Sequence, residues 1–555
     1  MRNLSTIGVI LLLISPLSSG SAEVIELRYS TYLGTAYNEG IFGPAIAVDD
    51  SGCIYLTGST DSHFEFPSVN PYQGTGWGTS PKTFVTKFGP SGSTLEYSTY
   101  LGGKTSYGAG QALAVNAQQQ TWIGGFTAST DFPVVNAYQA VNAGNEDGFL
   151  CRLSSTGSIL EFSTYLGGSN SDRVSSIDLD GAEKVYLTGK TFSLNFPTLN
   201  AYQSSIGWIS GNDSDAFVTK FSSSGTDLLY STYLGGYSYD GGKALDVSAA
   251  GRAYLTGYTY SSNFPTFNAY QVSRSGYNDA YICNLDSNGS SLIFSTYLGG
   301  TGEDTGKAIT VTDSGVTYLT GETKSDDFPT QGAYQSARAG SQDAFITLFS
   351  TAGNLLISTY LGGAAGDSSG GGIALNADGH QVWLTGSTSS PFFPTVDPYQ
   401  ARHGGGTDAF IARFSPGLSI LYYSTFLGGA STDEGRGIVS SGESVFITGV
   451  TSSINFPTRN AYQASRASSI SNDDIFLSKF SPGNSWGYDY NGDGTSDIGI
   501  FRESSGLWAI RDLTRVYFGQ NGDIPSPGDY DGSGTTEIAV FRPSSGLWAL
   551  RAVSR

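Results

Sequence analysis

The sequence predicts an all-β chain: a seven-bladed β-propeller of four-stranded antiparallel blades, closed by its N-terminal strand and followed by a small C-terminal β-domain. Three observations carry that prediction. The first is a ladder of near-copies of Tyr-Ser-Thr-Tyr-Leu-Gly-Gly, whose serines fall at Ser30, Ser98, Ser163, Ser231, Ser295, Ser358 and Ser424, about 65 residues apart, the mark of a repeat architecture. The second is the make-up of each repeat: four short runs rich in β-branched and aromatic residues, bounded by Gly, Asn or Ser, with no helical period. The third is composition, since 39% hydrophobic residues with only 14% charged supply a core, and 75 glycines supply tight turns.

Met1 to Asn3 make a short basic start, Ile7 to Ile14 an apolar run, and Gly20-Ser-Ala22 a set of small residues. Residues 1–22 therefore read as a cleavable secretory signal. The apolar run is far shorter than the roughly 20 residues a membrane-spanning helix needs, so the expectation is a bacterial protein that is secreted or held at the cell surface without membrane insertion.

The propeller is expected over residues 23–483. In the fourth repeat its strands read Gly242 to Val247, Ala253 to Gly257, Asp279 to Cys283 and Leu292 to Leu298. Short glycine-containing connections join the first two strands and the last two, as in antiparallel hairpins. The middle connection is long and carries Asn263-Phe-Pro-Thr266 and Asn268-Ala-Tyr-Gln271, so its aromatics are expected to tuck back over their own blade. The first three strands begin seven times, near Ala45, Ala112, Ser176, Ala244, Ala308, Ile373 and Gly437. The fourth strand also occurs seven times, but its first copy, Leu27 to Gly34, precedes all the others and none follows residues 475–480. That strand should complete the seventh blade and leave no open edge.

The YSTYLGG, LTG, FPT, NAYQ and DAF signatures resemble the bacterial SBBP repeats over roughly residues 25 to 483. The resemblance implies the propeller and no catalytic residue set. Residues 484–555 change pattern. Asp489 to Asp497 leads into Ile498 to Arg502 and Gly506-Leu-Trp-Ala509, and forty residues later Asp529 to Glu537 leads into Ile538 to Arg542 and Gly546-Leu-Trp-Ala549. This second family resembles the FG-GAP and VCBS calcium-loop repeats.

Those loops are the strongest chemical signal. Calcium takes several oxygen ligands on a tightly turned backbone. Asp489, Asn491, Asp493, the carbonyl of Thr495 and Asp497 offer oxygens at alternate positions; Asp529, Asp531, Ser533, the carbonyl of Thr535 and Glu537 repeat the pattern with one carboxylate fewer. The alternative is an Asx-rich turn without metal.

A second set of acids follows the rungs at Glu39, Asp172, Asp240, Asp304, Asp367 and Asp433, with Tyr107 in the second copy. Another opens the third strand at Asp147, Asp215, Asp279, Asp343, Asp408 and Asp474, with Lys82 in the first. Acids in nearly every blade are better read as turn-fixing acceptors than as an active site; a cation-concentrating ring is the alternative. Function is better sought where copies disagree. Trp77 and Trp208 interrupt the long loops and are the candidate ligand-binding residues, set against simple packing under the loop.

His63, His380 and His403 have no metal-ligand spacing and read as solvated loop residues; Cys53, Cys151 and Cys283 read as free buried thiols. A formal charge of −20 argues against nucleic acid. These residues point to an exported, non-catalytic binding or adhesion scaffold whose loop face engages a glycan or protein. A carbohydrate-active hydrolase or lyase using carboxylates at the mouth and a structural surface component are the alternatives.

Overall fold

The computed structural model describes residues 25–482, apart from 77, 79–80, 208–212, 377–378, 380 and 468–471, together with six short strands between Gly499 and Arg551. The chain divides into two compact units, residues 27–481 and residues 482–555 with 1–26. The signal segment at 1–22 lies outside the described residues.

The first unit is a seven-bladed propeller of four-stranded sheets, and no helix occurs among the described residues. Blade 4 shows the plan: Asp240–Val247, Ala253–Thr259, Asp279–Leu285 and Leu292–Leu298 pair in that order. Its first strand starts earlier than its apolar pattern suggests and passes a bulge between Gly242 and Ala244. Successive side chains of a strand point to opposite faces, and here both faces are buried. Ala280 and Ile282 pack forward against Ile309, Leu319 and Phe345 of blade 5. Tyr281 and Cys283 pack back against Tyr186, Val218 and Tyr230 of blade 3. The core is thus a series of inter-blade layers.

The rung sequence is explained side chain by side chain. In blade 4, Ser295 Oγ donates to Pro265 O (2.6 Å), and Thr296 Oγ1 accepts from Gln271 N (2.8 Å). Tyr297 OH donates to Ser261 O and accepts from Phe264 N, both at 2.8 Å. Gly299 N donates to Gln271 Oε1 (3.1 Å). A Cβ on Gly299 would fall 2.7 Å from Asp279 Cγ, so only glycine fits there. Backbone bonds from Phe267 N to Ser295 O (3.0 Å) and Tyr297 N to Gln271 O (3.2 Å) lay the long loop along the outer strand. They cover an edge that would otherwise be open to other strands.

The aromatics of that loop go two ways. Phe264 folds back onto Tyr281 of its own blade, centroids 4.5 Å apart, as its sequence suggests. Tyr270 instead reaches forward to Phe349 of blade 5 at 6.5 Å, edge to face. The difference arises because proline fixes the chain beside Phe264, whereas the bonds around Gln271 hold the loop at the outer rim, where the next blade is the apolar surface in reach.

The seam repeats these contacts. Ile25–Leu33 is the fourth strand of the sheet that contains Asp433–Ser441, Ser444–Thr451 and Asp474–Pro482. Ser30 Oγ donates to Pro457 O (2.7 Å), Tyr32 OH donates to Ser453 O (2.9 Å) and Phe456 N donates to Tyr32 OH (3.0 Å). Tyr462 meets Phe88 of blade 1 at 5.8 Å. The Tyr29 ring covers Gly92, whose φ of +69° and lack of a side chain the contact requires.

In the second unit two three-stranded sheets follow the same register: Phe501 stands opposite Trp508, and Phe541 opposite Trp548.

Removing a buried hydroxyl that satisfies a backbone N–H costs about 1–3 kcal/mol. Tyr32→Phe and Tyr233→Phe are therefore expected to lower stability by like amounts in calorimetric melts, since seam and interior carry the same bonds. A much smaller loss at Tyr32 would mean that the seam is not a full blade. Deleting residues 25–34 is expected to open the ring and bring aggregation, read by light scattering.

Candidate functional site

The acids that follow the rungs are buried. Asp240 Oδ2 accepts from Gly236 N (2.6 Å) and Ser261 Oγ (2.8 Å). Asp279 Oδ2 accepts from Ser275 N (2.9 Å) and Gln271 Nε2 (3.0 Å), and its Oδ1 from Gly276 N (2.9 Å). The two sets meet at the rung glycines: a Cβ on Gly235 would lie 2.4 Å from Asp215 Cγ and 2.8 Å from Asp240 Oδ2. These carboxyls are wired into turns. Burial pushes Asp240 up to about 6, Asp172 to about 7 and Asp215 to about 8, the last aided by the Asp240 charge. Glu39 takes the same place in blade 1, bonded to Thr35 and Thr60 and pushed up by burial to about 8. In blade 2 an extra loop residue puts Gly108 in the acid's register, opposite Thr127, and Tyr107 OH donates to Glu146 instead. Lys82 of blade 1 is buried and donates through Nζ to Ser106 O (2.5 Å).

Asp178 and Asp246 do break the repeat, standing where blades 2 and 6 have Ala114 and Ala374. Asp178 Oδ2 accepts from Val247 N of the next blade (2.9 Å), and Asp246 Oδ2 from Val311 N (2.7 Å). Burial raises both carboxyls, and the contact between them raises Asp178 further while it lowers Asp246; the pair staples the first strands of blades 3, 4 and 5 together.

Trp77, Trp208, His380 and both calcium-loop sets lie outside the described residues. Cys53, Cys151 and Cys283 are buried free thiols. His63 and His403 are half-buried rather than freely solvated. His63 Nδ1 lies 2.9 Å from Gly76 O of its own long loop, and His403 Nε2 lies 3.1 Å from Thr388 O at the end of the second strand of blade 6, against which its long loop folds back.

The structure assembles a different site, a pocket of about 690 Å³ shared by blades 4 and 5, within the roughly 300–1,000 Å³ range of ligand pockets. Tyr239 comes from the loop entering blade 4, Lys243 from its first strand, Tyr258 and Tyr260 from the end and exit of its second, and Tyr277 from its long loop; Lys307 and Glu322 come from blade 5. The backbone under them is pinned. Tyr260 N donates to Tyr239 O (2.9 Å), Tyr277 N to Gly302 O (3.2 Å) and Asp304 N to Asn278 O (3.0 Å).

Tyr260 is the hub of the aromatic set. It meets Tyr277 at 5.3 Å, Tyr258 at 5.9 Å and Tyr239 at 6.2 Å, each edge to face. This leaves the outer rings open: Tyr277 is 67% and Tyr239 42% exposed. Below them Lys243 Nζ stands 5.7 Å from the centre of the Tyr258 ring, and Lys307 pairs with Glu322 at 3.0 Å. Such a surface offers rigid aromatic faces beside polar groups, the combination that binds a flat, partly apolar and partly hydroxylated ligand.

Sequence reasoning passed over these residues because it sought tryptophans in loops. The signal lay inside the strands. Within the recurring Leu-Thr-Gly-x-Thr the variable residue is Lys190, Tyr258, Glu322 and Ser387 in blades 3 to 6, beside fixed neighbours.

Fold and site together define a seven-bladed propeller with a polar, aromatic mouth pocket. The family described as SBBP, beta-propeller repeat, matches residues 28–65. No curated protein sequence matches the chain. Among solved structures the chain is similar to the WD40 β-propeller domain of Doa1, at 11% identity and a TM-score of 0.41, over 83% of this chain and 98% of that one. It is also similar to Kuenenia stuttgartiensis hydrazine synthase, at 8% identity and a TM-score of 0.40, over 78% and 96%. A third is the quinohemoprotein alcohol dehydrogenase of Comamonas testosteroni, at 8% and 0.39, over 85% and 80%.

The buried acids set a pH dependence. Their folded values lie above those of the unfolded chain, so the native state holds protons that the unfolded state has released. Their stabilising contribution is complete below about pH 4 and is lost as pH rises through about 6 to 8. The melting temperature is expected to fall between pH 4.5 and 8.5, and to fall less in Asp215→Asn. A rise over that window would overturn the assignment.

Proposed function

We propose that this chain is an exported, non-catalytic binding scaffold whose loop face engages a glycan. The observation that carries the reading is the open tyrosine set of Tyr239, Tyr260 and Tyr277 above polar groups of two blades. A sugar ring presents C–H faces to aromatic rings and hydroxyls to polar side chains, and needs both within one pocket. A protein partner would more often use a broader, apolar-centred patch. The pocket is small and polar-rimmed.

The hydrolase alternative asks for two carboxyls across the scissile bond. Among the described lining residues the acid is Glu322, and it is bound to Lys307 and accepts from Gln342 Nε2 (3.1 Å). Export rests on the pattern of residues 1–22. The FG-GAP/VCBS-like reading of residues 484–555, with calcium on Asp489 to Asp497 and Asp529 to Glu537, rests on the alternation of oxygen ligands. With a chelator, melting of residues 484–555 is expected to shift down; an unchanged melt would remove calcium from the account.

The test of the main reading is a glycan array followed by titration calorimetry on the full chain. Tyr277→Ala and Tyr239→Ala are expected to weaken the best glycan by about tenfold or more, while changing stability by less than about 0.5 kcal/mol because both rings are exposed. Turnover of a polysaccharide, or binding that neither variant affects, would overturn the reading.

A further inference from the structure

The chain is strongly acidic, yet the mouth of blades 3 to 5 gathers cations. Arg173 and Lys190 come from blade 3, Lys243 from blade 4 and Lys307 from blade 5, all on the first two strands. Lys190 breaks the repeat, since Tyr258 and Ser387 stand in its place in blades 4 and 6, whereas Lys243 and Lys307 hold one bulge position in successive blades, where blade 2 has Gln111. Two of the four are neutralised locally. Arg173 holds Glu146 with two bonds, Nε to Oε2 at 2.7 Å and Nη2 to Oε1 at 2.8 Å, and Lys307 holds Glu322 at 3.0 Å.

Lys243 and Lys190 have no carboxylate within ion-pairing distance among the described residues. Protein crowds Lys243 while leaving it open toward the pocket, and this desolvation, joined by the charges of Lys307 and Lys190, holds its ammonium down to about 8, with Glu322 opposing and Arg173 adding. Lys190 is lowered for the same reasons, burial first and then Arg173, against Glu146. An ammonium that is costly to keep charged, next to others of its sign, stabilises little in the free protein. An anion placed among them would be held by charge-assisted hydrogen bonds in a partly dehydrated site.

We infer that the pocket selects an acidic glycan, with a uronate carboxylate seated on Lys243 and the sugar ring lying against Tyr277 and Tyr239. This rests on the glycan reading and narrows it. A neutral sugar would leave Lys243 unmatched, and a small free anion would leave the tyrosine faces unused. Both features occupy one pocket, and a carboxylated sugar matches both.

The pH dependence follows. Lys243 faces Lys307, Lys190, Arg173, Glu322 and the Tyr258 ring. A bound carboxylate raises its pKa from about 8, so a proton is taken up on binding near pH 8.5 and affinity falls as pH rises above about 8.

The experiment is calorimetric titration of the full chain with oligomers of galacturonate, glucuronate and mannuronate, each beside its methyl ester, which keeps the ring and removes the charge. The expected result is that at least one acid oligomer binds about 10- to 100-fold tighter than its ester at pH 7. Its binding heat at pH 8.5 should differ between buffers of different ionisation enthalpy, as proton uptake requires. Lys243→Met should abolish the preference and Lys243→Arg retain it. The comparison of acid with ester uses the unaltered protein, so it stands even if a variant misfolds. Equal binding of acid and ester would overturn the acidic selectivity and leave the glycan reading standing. Binding of acetate or sulfate as tight as that of the oligomers, or no binding by any oligomer, would overturn the inference; if array glycans failed as well, the glycan reading would fall with it.

Discussion

Each blade buries its two apolar faces only against the blades beside it, and a ring contains no position where that requirement is relaxed. Ala280 and Ile282 serve one neighbour while Tyr281 and Cys283 serve the other, so a single strand belongs to two cores. The apolar content of the chain is spread over such layers. The seam must therefore reproduce an ordinary junction in full, and Tyr29, Leu33 and Leu477 meet Ile54, Phe84 and Phe88 in a layer of the same kind as those between interior blades.

The rung performs three tasks in one short strand. Its hydroxyls fasten the long loop, its glycines clear room for buried carboxyls, and its first aromatic lies on the glycine of a hairpin in the next blade, as Tyr230 lies on Gly289. Blade 6 departs from the pattern: Phe426 carries no hydroxyl and its ring edge meets His403 at 5.6 Å, so among the described residues Phe393 N keeps only the bond to Ser390 O (3.3 Å) that Phe196 N of blade 3 makes to Ser193 O beside its tyrosine. The long loop there carries His403, which bonds Thr388 O (3.1 Å).

The fold was legible because repetition multiplies every local signal sevenfold, and because counting unpaired strands fixes closure without any distance. The role of the acids was legible for a related reason: Asp240 and Asp279 recur with the turns they bind. The pocket was not. Its tyrosines come together only when the loops of blade 4 fold onto one another, and the repeat position that Lys243 shares with Lys307 does not record that both lysines line the same pocket as those rings. Residues that break the repeat pointed first to Trp77 and Trp208 because tryptophan is conspicuous. The informative break was quieter, a strand position that is lysine, tyrosine, glutamate and serine in successive blades. The forward reach of Tyr270 was hidden for the same reason, since its partner Phe349 belongs to the next repeat.

The closing strand has a further consequence, in the order of folding. Ser30 and Arg459 exchange backbone bonds across almost the whole propeller, and contacts so distant in sequence are slow to form. Blades 1 to 6 each consist of contiguous chain and can assemble as they emerge. Blade 7 cannot, because its outer strand is made first and its other three last. Until residues 474–482 are available, Ile25–Leu33 is a β-prone segment without its sheet. The step that removes the edge is therefore also the one that leaves it exposed longest, and the nascent chain is most prone to pair with a second copy of itself while that strand waits.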